Sequence, residues 1–147
     1  MAYYNRGLAY SKIGQYQNAI KDYNEAIRLK PDYAEAYINR GNIYGQYGQY
    51  QMAIEDFNKV IGLNHNNIKA YNNRGLAYSE LGDYRSAIED FNKAINLKPD
   101  YAGAYNNRAN VYLKQSDNIS GCQDAKKACE LGNCATLQAA AAKGLCR

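Results

Sequence analysis

The sequence predicts an all-α fold made by repeating one helical hairpin. Three observations carry that expectation. The stretch from Ala70 to Gly103 lies without a gap over residues 36–69 when shifted back by 34 positions, and over residues 2–35 when shifted again. A period of that length indicates a solenoid of supersecondary units rather than one closed core. Each copy also holds two helical runs of about a dozen residues, divided at Gly14-Gln15-Tyr16, Gly48-Gln49-Tyr50 and Gly82-Asp83-Tyr84. Finally, small residues recur at fixed places, Gly7, Gly41 and Gly75 in the first run and Ala19, Ala53 and Ala87 in the second.

Each element follows from local chemistry. Gly suits the position after a helix C-terminus because it takes the left-handed conformation without a Cβ clash. Pro31 and Pro99 follow the second runs, where they stop a helix from continuing; His65 and Asn133 hold the equivalent places in the other copies. The paired small residues let two helix axes approach to the low end of the usual ~8–10 Å. Tyr10, Tyr44 and Tyr78, with Tyr23, Phe57 and Phe91, fill the space around that approach. A single hairpin buries too little to stand alone, so stability has to come from stacking.

The copies run over residues 2–35, 36–69 and 70–103, with a worn fourth at 104–133, all within one expected domain, 1–147. In the fourth, Ser116, Asn118, Gly121 and Ala125 replace the residues equivalent to Gly82, Tyr84, Ala87 and Phe91. Residues 134–144 read as a capping helix ended by Gly144, its Leu137, Ala140 and Ala141 expected to restore the bulk missing at Ala125.

Tyr37, Gly41, Tyr44, Tyr50, Ala53, Phe57 and Leu63, with their 34-residue shifts, resemble the tetratricopeptide repeat family. The resemblance covers three copies throughout and the fourth in part. It implies antiparallel helix pairs stacked into a right-handed superhelical solenoid, with the first helices lining a concave groove. One departure is regular. Where the family commonly has Leu before the Gly, this chain has Arg6, Arg40, Arg74 and Arg108, and sixteen residues later stand Asp22, Asp56, Asp90 and Asp124. A hairpin sets those positions opposite each other, which predicts one Arg–Asp ion pair per copy. The alternative is an Arg row facing the groove and binding acidic ligands.

Just before each Arg lies Asn5, Asn39, Asn73 or Asn107. An amide side chain offers one acceptor and one donor group, the two functions that bracket a peptide unit. The row resembles the asparagine ladder of peptide-binding family members. The surrounding positions are Tyr4, Leu8, Ile38, Asn42, Asn72, Leu76, Asn106 and Asn110, so the expected groove is amide-rich with apolar patches. The plainer alternative is that these Asn residues solvate an exposed helix face. Family members that clamp a chaperone's C-terminal carboxylate use Lys, Asn, Asn, Lys and Arg at set places. Here those places hold Tyr4, Leu8, Asn39, Lys69 and Asn73, or, one copy on, Ile38, Asn42, Asn73, Gly103 and Asn107. Neither window keeps the cationic set.

Composition narrows the function further. Mean hydropathy is −0.67 over 147 residues, and no apolar run approaches the roughly 18 residues of a membrane span. No signal-peptide pattern opens the chain, although Met1 sits almost at the first residue of a repeat. The net charge of +4 falls mostly in the tail after Gly103, and no basic stripe interleaves with aromatics, which argues against nucleic-acid binding.

Cys122, Cys129, Cys134 and Cys146 all lie near the C-terminus. Their spacing lacks the tight pairs of a zinc site, and the lone His65 lies far from them in sequence. No metal, cofactor or enzyme activity is therefore expected. Two disulfides or buried thiols remain. Cys122 and Cys129, seven apart on one predicted helix, are about 10 Å apart along its axis and too far to bond. An antiparallel lid brings Cys129 to Cys134 and Cys146 to Cys122. Oxidised pairs favour a periplasmic or secreted setting, and reduced ones a cytoplasmic setting. The expected function is a scaffold for an extended peptide or protein segment. The alternative is self-association through the uncapped first helix, with Tyr3, Tyr4 and Tyr10 at its surface.

Overall fold

The computed structural model describes residues 1–147 as nine α-helices and no strand. They are α1 (Ala2–Lys12), α2 (Tyr16–Leu29), α3 (Ala34–Gln46), α4 (Tyr50–Leu63), α5 (Ile68–Glu80), α6 (Tyr84–Leu97), α7 (Ala102–Lys114), α8 (Asn118–Glu130) and α9 (Ala135–Ala142). The chain divides into two compact units, Met1–Ala70 and Tyr71–Arg147. No helix is long and apolar enough to cross a membrane.

In the first unit, α1 packs on α2, α2 on α3, and α3 on α4. A Cβ added at Gly7 would lie 2.8 Å from Tyr23 Cε1, and one at Gly41 would lie 2.9 Å from Phe57 Cε1. The aromatic ring of the second helix therefore lies directly on the first helix's backbone, which only Gly allows. Ala19, Tyr23, Ala26, Tyr33, Ala36 and Ile43 make a continuous buried cluster around this contact. Tyr23 differs from Phe57 in carrying a hydroxyl. Ser11 interacts weakly with it, but no partner stands in hydrogen-bonding geometry. Burial pushes its pKa up to about 12.

In the second unit, the third copy repeats the pattern, with Gly75 against Phe91 at 2.8 Å. The fourth hairpin, α7 on α8, solves the same problem in mirror fashion. Ala109 stands where the first helices elsewhere carry Gly, Gly121 replaces the second-helix Ala, and a Cβ at Gly121 would come within 2.7 Å of Leu113. Bulk has moved from the second helix to the first. Its turn differs as well: Gly82 has φ +79°, and Ser116 at the equivalent place is held at φ +63°, a conformation a side chain tolerates poorly.

The lid α9 packs on both α7 and α8. Its buried residues are Thr136 and Ala140, one turn apart, while Leu137 is half-buried and Ala141 exposed. This corrects the expected Leu137–Ala140–Ala141 face. Ala140 is buried as expected and Leu137 lies beside Lys126, Cys129 and Glu130, but Thr136 takes the inward place expected of Ala141.

Candidate functional site

The Arg residues sit midway along the first helices, and each reaches across its hairpin. Nε and Nη2 of Arg6, Arg40, Arg74 and Arg108 each donate to one carboxylate oxygen of Asp22, Asp56, Asp90 and Asp124, over distances of 2.6–2.9 Å. Such two-pronged pairs are the strong form of the interaction. All four carboxylates are nearly buried. Three of the guanidinium side chains are only 18–20% exposed, whereas Arg6 is 59% exposed. The difference shows in protonation. Arg6 holds the Asp22 carboxyl below its ordinary range. Burial raises Asp56 and Asp90 above it, against the opposing pull of their Arg partners.

Two further contacts complete each fork. Every guanidinium lies within 6.0 Å of the ring centres of the Tyr three residues before it and the Tyr four residues after it. For the three shielded guanidiniums, at Arg40, Arg74 and Arg108, contacts of this kind contribute about 0.5–1 kcal/mol per ring. Eight of the sixteen tyrosines serve this purpose, which sharpens their reading as generic packing residues. In addition, Arg40 Nη1 donates to Asn24 Oδ1 at 2.6 Å, and Arg108 Nη1 to Asn92 Oδ1 at 2.5 Å. Each of these joins one copy to the copy before it. Sequence reasoning missed these acceptors. The signal was the recurrence of Asn24, Asn58 and Asn92 at the same period, with Lys126 in the copy that only the lid follows.

The Asn residues before the Arg are half-buried at positions 39, 73 and 107 and exposed at 5. They are not simply presented outward. Asn39 Nδ2 donates to Tyr4 Oη at 3.1 Å, and Asn107 Nδ2 donates to Asn72 Oδ1 at 3.0 Å. Asn72, itself only 6% exposed, donates to Asn73 Oδ1 at 3.3 Å. One amide proton of Asn39 and of Asn107 is thus used between neighbouring first helices. Their carbonyl oxygens and second amide protons have no partner within the protein. Asn42 is exposed on the same helix as Asn39.

The fourth copy is different, because α9 lies over it. The Thr136 backbone N–H donates to Asn106 Oδ1 at 3.2 Å, and Thr136 Oγ1 donates to Asn110 Oδ1 at 3.0 Å. Two amides expected in the groove are occupied by the lid. The lid is also tied covalently: Cys122 pairs with Cys146 and Cys129 with Cys134, leaving no free thiol.

The tetratricopeptide repeat profile matches residues 1–33, 34–67 and 68–101. Many solved structures share the fold. The MamA crystal structure superposes with a TM-score of 0.82 at 29% identity, covering 88% of this chain and 75% of that one. The Arabidopsis OM64 repeat domain gives 0.72 at 32% identity over 75% and 91% of the two chains. The first repeat domain of Spaghetti (RPAP3), solved with the HSP90 peptide SRMEEVD, gives 0.75 at 26% identity over 78% and 91%. No curated protein matches at a significant level.

Proposed function

Because the chain belongs to the tetratricopeptide repeat family, we propose that it is a scaffold holding an extended peptide by its backbone through first-helix Asn side chains. Members of the family are generally non-catalytic modules for protein or peptide partners. One observation carries the finer reading. Asn39 in the first unit and Asn107 in the second each spend one amide proton on a neighbour and keep an acceptor and a donor unused. The neighbour fixes the side chain, so little rotamer freedom remains to be lost on binding. A preoriented carbonyl and N–H match the N–H and C=O of a passing peptide unit.

The Arg forks are engaged with Asp and Tyr, so acidic side chains are not the feature being read. The relative bound to SRMEEVD takes an acidic peptide, and of the cationic places described above only Lys69 keeps its charge here. A neutral, extended segment fits better.

The test is binding of peptides selected from a random library. Asn39→Ala with Asn73→Ala is expected to weaken capture at least tenfold while the circular-dichroism spectrum stays unchanged. Undiminished affinity in the double variant would overturn the ladder. Exposure of Arg6 and of Tyr3 on α1 favours self-association as a second reading, which light scattering at two concentrations separates: a dimer that persists in the double variant supports it.

A further inference from the structure

We propose that the Cys129–Cys134 disulfide is a site for thiol exchange with a dithiol reductant, and that its opening releases the lid from Asn106 and Asn110. The two disulfides differ in ways that matter. Cys146 is buried although its partner Cys122 is half-buried, and their bond closes a span of 24 residues. Cys129 and Cys134 are half-buried, five residues apart, and join the last turn of α8 to the residue that starts α9. Cys129 lines an open cavity of about 340 Å³ with Lys126, Glu130 and Leu137. A thiolate entering that cavity approaches Cys129 between Lys126, whose ammonium also donates to the Arg147 carbonyl, and Glu130.

The exchange balances. The thiolate bonds to Cys129 sulfur and expels Cys134 as a thiolate, at the N-terminal end of α9, where helix amides favour negative charge. The reductant's second thiol then attacks its own sulfur in the mixed disulfide and expels Cys129. Two electrons and two protons pass to the protein, and the dithiol leaves as a disulfide.

The lid has little else to hold it. It is eight residues long, below the length at which an isolated helix persists in water, and buries only Thr136 and Ala140. With Cys129–Cys134 open, its N-terminal end keeps the Thr136 hydrogen bonds and the short turn from α8, where the Asn133 N–H donates to the Ala128 carbonyl. Cys146 still tethers the far end, so the lid swings rather than departs. The amides it uncovers, Asn106 and Asn110, flank Asn107 of the row proposed above for peptide, and the functional meaning of the gate rests on that reading. Its mechanics do not.

The experiment is a dithiothreitol titration of the whole protein, with alkylation mapped by mass and amide exchange followed by segment. Positions 129 and 134 are expected to alkylate before 122 and 146. Over that step, exchange in residues 135–139 should rise at least tenfold with α7 unchanged. Cys129→Ser with Cys134→Ser should show the faster exchange without reductant. Earlier alkylation of 122 and 146, protection of α9 that survives alkylation at 129 and 134, or loss of protection everywhere at once would each overturn the proposal. None of these readouts involves peptide, so failure of the gate and failure of the ladder are seen separately.

Discussion

The third and fourth hairpins share the Arg–Asp fork but differ in how they fill the core and make the turn. In the third, Phe91 lies on Gly75, the turn uses Gly82, and the Arg74 fork closes the pair. In the fourth, Leu113 lies on Gly121, the turn forces Ser116 to positive φ, and Arg108 still grips Asp124. Core volume has therefore been redistributed while the ion pair was kept. Packing only needs the space filled, and either helix can supply the bulk. A nearly buried carboxylate needs that one partner in that one place.

That contrast is broken most directly at the carboxylates. Asp90→Ala and Asp124→Ala are each expected to cost about 3 kcal/mol, because each leaves a half-buried guanidinium without its carboxylate. Arg74→Met with Asp90→Leu should cost less than Asp90→Ala alone. Urea melts decide the order, and the reverse order would mean the forks are surface ornaments. Gly75→Leu should cost roughly 1–3 kcal/mol by pressing on the Phe91 ring. Gly121→Ala should cost roughly 1–3 kcal/mol as well, since the added Cβ meets Leu113 at its Cγ branch point and approaches the Ala109 carbonyl oxygen.

Two changes should stabilise. Ser116→Gly relieves the left-handed turn and is expected to gain about 1 kcal/mol. Tyr23→Phe removes a buried hydroxyl without a partner and gains about as much, roughly 1 kcal/mol. Thermal melts check both. The smallest effect concerns the helix caps. Asp83 and Asp117 accept from the Ser86 and Ser120 amides, and both carboxyls lie below the ordinary Asp value. A depressed folded value means the capping contribution is complete above the unfolded Asp value near ~4 and is lost as pH falls through the folded one. Side-chain carboxyl NMR titration reads each directly.

The period made the architecture legible. Glycines facing aromatic rings, the helix ends and the Arg–Asp facing positions all follow from a 34-residue shift, because a solenoid repeats its environment along with its sequence. What stayed hidden lies where one copy meets something unlike itself. The Asn24 and Asn92 acceptors belong to the junction between copies, and a reading within one copy does not pair them with Arg. The Leu113–Gly121 exchange looks like decay when each position is compared alone, and becomes a compensation only when both helices are seen together. Thr136 carried no signal at all: its role depends on where the lid sits, which two short cysteine spans determine.

Nuclear magnetic resonance of side-chain nitrogen groups separates the two kinds of residue the repeat contains. During titration with a library-selected peptide, the Nδ2 resonances of Asn39 and Asn107 should shift while the Nε resonances of Arg40 and Arg108 stay fixed. Shifts at the Arg Nε groups with unmoved Asn amides would contradict the account, because the forks would then be the contact and the amides the architecture.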